Sequence, residues 1–569
     1  MKGIYRHWYF LIISLGACTS SGPSPADLVI KNGTFATMSN LTNVQAIAIA
    51  DGKIVAIGDT NALDLYESEK TKVLDAQGAF IMPGFIEAHG HFSGLGSKLQ
   101  DLDFSGAENW DEIVNVVSIA AQKADKGHWI IGRGWHQEKW ESAPERNLYG
   151  YPFHDELSTV SPSNPVLLYH ASGHAVFANE AAMQQAGITL ETIDPNGGAI
   201  LRSREGRAIG VFEETAAALI GAAYERYLDT QSETQLLAKW KEGIELAQEE
   251  CLTKGITSFY DAGSTLEIIE RYRTFAESDQ LDIRLWVMIR QSAQSLQSEL
   301  GRFPWLGLGD NFLTVRAIKT AVDGALGSYG AWLLKPYHDK PDFVGQNTVP
   351  LQEVEALATM ALKHDLQLCV HAIGDRANHE TLNIFERYYA LAGQPSDLRW
   401  RIEHAQHLHQ QDIPRFNKIG VIAAMQGIHC TSDAPFVEKR LGFERSRVGA
   451  YPWRSLLDAG AIIANGTDAP VEDVDPIASF YASVTRKYPG RVEPFFAAQS
   501  MTRMEALRSY TLDAAYAGFE DHIKGSIETG KLADLTILDK NLLTCSEQEI
   551  LQTHVLYTIV GGEIKYQLP

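Results

Sequence analysis

Cysteine is scarce in this 569-residue chain, and five residues cannot build the dense disulfide framework of a small secreted scaffold. Positive charge is also short: 49 Lys plus Arg stand against 71 Asp plus Glu, a formal charge of −22. A nucleic-acid binder needs a basic footprint, so this balance argues against a nucleic-acid partner. No internal run reaches the roughly 20 apolar residues of a membrane span, which excludes a multi-pass membrane protein. What remains is ordinary globular composition, 45% apolar and 21% charged, in a chain too long for a single hydrophobic core.

The N-terminus stands apart from the fold. Lys2 and Arg6 precede an apolar stretch from Trp8 to Ala17, which fits a secretory signal and is too short to span as a helix. The stretch ends Leu15-Gly16-Ala17-Cys18, which resembles a bacterial lipoprotein cleavage box with Cys18 as the lipidated residue. An ordinary secretory signal with a chance cysteine is the alternative. Residues 19–25 read as a flexible tether, so residues 1–25 form a signal and tether. The expectation is a lipid-anchored protein of the bacterial cell envelope, on the periplasmic face of the outer membrane.

Residues 27–82 read as short strands joined by tight turns, with Asn32-Gly33 and Asp51-Gly52 supplying the positive φ angles that hairpins require. The segment 526–569 repeats this style. Neither end holds enough strands for a stable sheet, so the two are expected to pair into one composite β-sandwich. Between them, residues 83–525 alternate short β-branched runs with helical patterns such as 236–251, 351–364 and 376–392. Eight candidate strands begin at Phe85, Thr257, Arg284, Val315, Gln367, Arg401, Val421 and Ala461. Eight such units suggest an α/β fold of the (β/α)₈ barrel type. The first two strands lie roughly 165 residues apart, more than one crossover needs, which predicts an insertion at about 92–250 over the barrel mouth.

Polar residues cluster at the ends of these strands. His89-Gly90-His91 follows the first strand, and on an extended segment i and i+2 share a face, so both imidazoles can meet one cation. A lone His-x-His is weak. However, the fourth strand ends in Lys319, the fifth in His371, the sixth in His404, and the last runs on to Asp468. Barrel active sites lie at the C-terminal ends of strands, which gathers six donors around one opening.

This arrangement resembles the metal-dependent amidohydrolase superfamily. The closer likeness is to the branch of N-substituted formamide deformylases and exoenzyme-regulator-like hydrolases. It rests on Pro83-Gly84-Phe85-Ile86-Glu87-Ala88-His89-Gly90-His91, Asp323-Gly324-Ala325-Leu326-Gly327-Ser328 and His371-Ala372-Ile373-Gly374-Asp375. It rests also on Gly466-Thr467-Asp468-Ala469-Pro470 and Gly530-Lys531-Leu532-Ala533-Asp534-Leu535. The resemblance implies two divalent ions, with zinc suited to the donors. His89, His91 and Asp468 would hold the more buried ion, and His371 and His404 the other. Lys319, carboxylated by carbon dioxide, would bridge the two. Asp468 would also shuttle a proton, and His429 would meet the substrate carbonyl or serve as a loop residue.

The expected reaction is hydrolysis of a non-peptide carbon–nitrogen bond in a small-molecule substrate, a small amide or N-substituted formamide. An ester, lactone, cyclic amide or amidine on the same site, or a non-catalytic metal-binding lipoprotein, are the alternatives. In the insertion, His174, His136 and Trp135 are candidate substrate contacts, with packing as the other role for Trp135; Gln426 after the seventh strand is another. His136, His170 and Ser172 depart from the residues usual in the branch, so the substrates of its named members do not transfer directly. The assembly state stays open, a homodimer being one arrangement.

Overall fold

A computed structural model describes residues 24–393, 397–488 and 493–569. The signal segment and Cys18 lie outside the described residues. Eight parallel strands form the centre: β1 (Phe85–Gly90), β2 (Ile256–Ser264), β3 (Arg284–Ile289), β4 (Leu313–Ala321), β5 (Gln367–Ala372), β6 (Arg401–His404), β7 (Ile422–Gln426) and β8 (Ile463–Gly466). They hydrogen-bond in sequence order from β1 to β8, as successive right-handed βα units dictate. Six contain the whole run expected from the sequence; β7 starts one residue after Val421, and β8 starts two residues after Ala461 and runs on to Gly466.

The seam between β1 and β8 carries no regular ladder. Instead the Glu87 carboxylate accepts from the Thr467 backbone N–H (2.8 and 3.0 Å) and hydroxyl (2.9 Å). Just beyond, Asp468 N–H donates to the His89 carbonyl (2.8 Å) and His91 N–H to that of Ala469 (2.6 Å). Burial pushes the Glu87 carboxyl up to about 8. Tyr260, Trp286, Ala317, Cys369, Ile422 and Ala464 fill the barrel interior against the helix Leu512–Ala517. The Trp286 indole and the Gln367 amide donate to the carbonyls of Gly518 (3.1 Å) and Ala517 (2.9 Å), so this helix plugs the N-terminal end. The interior is packed, and the opening is confined to the opposite rim.

The two termini meet as expected. One sheet pairs strands from residues 28–75, and a second joins Phe80–Pro83 to Leu535–Leu538, Val555–Val560 and Glu563–Gln567. Ile30, Ile47, Ile81, Ile537 and Ile559 interlock between them. A buried Arg284–Asp534 pair (2.7 and 3.0 Å) fastens this sandwich to the start of β3.

Between β1 and β2, a six-stranded mixed sheet runs from Leu102–Asp103 to Ala208–Glu214 with apolar clusters on both faces. The helices that flank it, Phe92–Gln100 and Glu233–Thr253, pack chiefly on each other. Gly96 permits this: a Cβ there would stand 2.3 Å from the Gly243 carbonyl oxygen. Trp135 lies wholly inside the insertion core, its indole N–H donating to the Leu168 carbonyl (3.0 Å). Of its two candidate roles, the structure assigns packing, because the ring of a strand residue facing the sheet core cannot also reach the opening.

Against Trp135 stands His170. Its Nε2 lies 3.0 Å from the Gln137 amide oxygen, and its Nδ1 accepts from the Ser172 N–H (3.2 Å), an arrangement that requires the neutral ring. Burial, with Lys139 and Arg133 nearby, pushes His170 down to about 3. The unfolded chain takes up that proton near pH 6.5. The stability this neutral ring contributes is therefore complete above pH 6.5 and is lost as pH falls toward 3. In His170→Asn, urea titrations from pH 6 to 4 should show the dependence of stability on pH reduced by one proton, about 1.4 kcal/mol per pH unit. An unchanged slope would refute the buried neutral state.

Candidate metal centre

The donors expected at the strand ends converge on the rim. His89 Nε2 and His91 Nε2 lie 3.5 and 3.3 Å from Asp468 Oδ1. These three side chains form one cluster able to hold an ion, and His404, His429 and Asp468 form a second that shares the aspartate. The His371 ring packs on His404, centroids 4.4 Å apart, and lies beside these clusters rather than within them. The second cluster thus differs from the His371–His404 pair implied by resemblance, because His429 on the loop after β7 swings its ring in line with that of His404.

Hydrogen bonds set the state of each ring. Glu403 Oε2 pairs with His89 Nδ1, which must carry the proton and leaves the Nε2 lone pair toward Asp468. The Gln426 amide donates from Nε2 to the Ala424 carbonyl (3.1 Å), so its oxygen faces His404 Nδ1 at 2.8 Å and orients that ring likewise. Gln426 therefore positions His404 and does not line the cavity, contrary to the expectation of a substrate contact. His429 is the opposite case: Gln406 Nε2 lies 3.0 Å from its Nδ1, so as a donor it leaves the proton on Nε2.

The electrostatics agree. Burial lowers His89 to about 4 and holds His371 and His404 well below the ordinary imidazole range, which keeps them neutral and able to ligate. Burial raises the Asp468 carboxyl, but His91, His89 and His404 outweigh it and hold it well below the usual range. Among the described residues, the buried atoms His89 Nε2, His371 Nε2, His429 Nε2 and Asp468 Oδ1 have no hydrogen-bond partner. Orphaned groups of this kind are costly in a folded interior; a divalent ion satisfies the lone pairs of His89, His371 and Asp468, whereas His429 Nε2 is left as a free donor. The residues present fit the group.

Lys319 on β4 is 4% exposed, and its Nζ reaches the Ala262 carbonyl at 3.4 Å. Burial lowers its ammonium to about 8. Its strand register sets it beside Cys369, two residues before His371. His404 and Asp468 both sit at positive φ, 74° and 61°, a backbone strain that sharp turns at a functional rim tolerate.

Two lobes meet at the centre. The larger, about 640 Å³, lies under the insertion; the smaller, about 50 Å³, is lined by His136, Leu326, His429 and Phe436. His174 borders both lobes, its Nδ1 held 2.9 Å from Glu214. His136 stacks on Phe436 in the smaller one. Sequence reasoning missed Glu403, Glu214 and Asp323. Asp323 accepts from the N–H groups of Trp332, Ile373 and Gly374 (2.8–2.9 Å), pinning the loop after His371, and burial raises it to about 7. The available signals were Arg401 two residues before Glu403, a charged pair on one face of a short strand, and the place of Asp323 at the head of the motif that runs to Ser328.

The sequence profile of the Amidohydrolase family matches residues 72–566. Protein LONG AFTER FAR-RED 3 of Arabidopsis thaliana is 32% identical, across 95% of this chain and 92% of that protein. N-substituted formamide deformylase of Arthrobacter pascens is 28% identical, across 95% of this chain and 98% of the enzyme. An uncharacterized metal-dependent hydrolase from Pyrococcus horikoshii superposes with a TM-score of 0.73 at 25% identity, covering 92% of this chain and 99% of that one.

Glu403→Gln removes the carboxylate that holds the His89 proton. Chelator competition should then show metal affinity weakened about 10- to 100-fold. Wild-type affinity in a folded variant would remove Glu403 from the centre.

Proposed function

The chain belongs to the amidohydrolase family and is a metal-dependent hydrolase of non-peptide carbon–nitrogen bonds, and from that premise we propose that its substrate is a small amide, of the N-substituted formamide or short N-acyl kind. The observation that carries this reading is the set of orphaned buried donor atoms at the junction of a large and a very small lobe. A formyl or acetyl group suits the smaller lobe, which has less than a tenth of the volume of the larger.

In this reading His89, His91 and Asp468 would hold one divalent ion, and His404 with the His371 ring beside it the other, because the proton on His429 Nε2 leaves that ring no free lone pair toward an ion; zinc suits these donors. Bound divalent ions supply Lewis acidity, which lowers the pKa of water and polarises a carbonyl. Asp468 takes a proton from the attacking water and returns it to the departing nitrogen, because an unprotonated amide anion leaves poorly. His429 presents its Nε2 proton toward the carbonyl oxygen as negative charge develops there. The neutral amine of Lys319 would add to carbon dioxide with release of a proton, and the resulting carbamate would supply anionic oxygens to help hold the two ions. A cationic ammonium would be repelled from that position. The signal-like segment at residues 1–25 supports an acyl anchor at Cys18 in the cell envelope.

The test is a panel of N-substituted formamides, N-acyl amines and esters offered to metal-loaded protein. Amide turnover is expected, with Asp468→Asn lowering kcat about 10²- to 10⁴-fold; wild-type rates in that variant would reject the proton transfer. For Lys319, apoprotein depleted of carbon dioxide should take up metal poorly until bicarbonate is added. Uptake indifferent to bicarbonate would exclude the carbamate.

A further inference from the structure

The amide reading leaves the larger lobe without a stated ligand, and its cations supply one. Lys319 belongs to the ion cage. Lys98 and Lys239 face Asp103 (3.9 Å) and Asp101 (4.0 Å). Arg133 is committed to main-chain oxygens, Nε to Pro470 (3.2 Å) and Nη2 to Ala171 (3.4 Å). Arg290 differs from all of them. It lines the lobe, and among the described residues its guanidinium has no carboxylate at ion-pair distance and no hydrogen-bond acceptor.

Its placement is built into the barrel. Arg290 follows β3 directly, at the same rim as the ion cage, and its N–H donates to the Ser264 carbonyl (2.9 Å). Beside it Gly263 adopts φ +135°, and a Cβ there would stand 2.8 Å from Arg290 Cδ and 2.9 Å from its Cβ. Only glycine on β2 leaves room for the aliphatic stem. The Arg290 side chain is exposed to the lobe it lines; crowding around it lowers its pKa, while Asp468 and Asp261 counter this. An arginine remains fully charged there at neutral pH.

We propose that Arg290 anchors a carboxylate of the substrate, so that the enzyme takes N-formyl or N-acetyl derivatives of amino acids. This rests on the amide reading above. The planar guanidinium receives a carboxylate through two parallel hydrogen bonds. The short acyl group then occupies the smaller lobe, the scissile carbonyl lies over the His/Asp cluster, and Ile131, Tyr169 and Tyr224 wall the amino-acid side chain.

Zinc-loaded enzyme is assayed on N-formyl- and N-acetyl-phenylalanine of both configurations, each against its carboxamide. The free carboxylate should be preferred in kcat/KM by about 10- to 100-fold. In Arg290→Gln that ratio should fall toward one, and Arg290→Lys should keep part of it. A wild-type ratio of one, or a ratio that survives Arg290→Gln, overturns the proposal. Calorimetric binding of N-acetyl-phenylalanine separates this from the chemistry. Binding at least 10-fold weaker in Arg290→Gln supports the anchor even if no amide is turned over, which would instead sink the amide reading. Equal affinities in the two proteins overturn the anchor.

Discussion

One buried carboxylate organises the centre. Glu403 lies in the barrel interior between the Arg401 guanidinium (2.7 and 3.0 Å) and the His89 ring. Removing an acid from water is expensive, and only a well-placed cation and further hydrogen bonds offset the cost. Arg401 supplies the cation and is itself held by the Ala88 carbonyl (2.7 Å), on the strand that carries His89. Burial raises Glu403, yet Arg401 and His89 outweigh it and hold the carboxylate ionised. The arrangement links β6 to β1 across the interior and fixes which nitrogen of His89 faces the opening. The orientation of the first ligand is thus a property of the packed interior.

The same logic recurs at lower cost around the rim. Gln426 orients His404, Gln406 orients His429, and Glu214 orients His174. Each of these three rings therefore has one nitrogen engaged behind it. Pre-oriented groups of this kind lose little freedom when charge develops in the transition state. The two outer helices that begin and end the insertion meet through Gly96 and Gly243, so the covering sheet hangs from a close-packed joint on the barrel wall.

Much of this was legible in the sequence. The eight strands announced themselves as short β-branched runs, and the ligands as polar residues where each run stops. His89, His371, His404 and Asp468 needed only that periodicity and the rule that barrel sites sit at strand ends. The supporting residues were hidden for a physical reason. Glu403 finds His89 across 314 positions, and Glu87 finds Thr467 across 380, so nothing in the local pattern reports either partner. Arg290 was invisible for the converse reason, since its significance lies in lacking a counter-ion. Trp135 illustrates a genuine ambiguity: an aromatic beside a Gly-rich strand suits a pocket or a core equally, and only the sheet's facing decides.

The closure of the barrel through Glu87 and Thr467 has a temporal corollary. His89 leaves the ribosome almost four hundred residues before Asp468, and the aspartate common to both donor clusters emerges last. A nascent chain shorter than this can present scattered imidazoles to passing ions, but it cannot enclose one. Competence thus arrives as a single late event, when the final strand slots into place, and the half-made protein is spared the hazards of a reactive, half-caged ion.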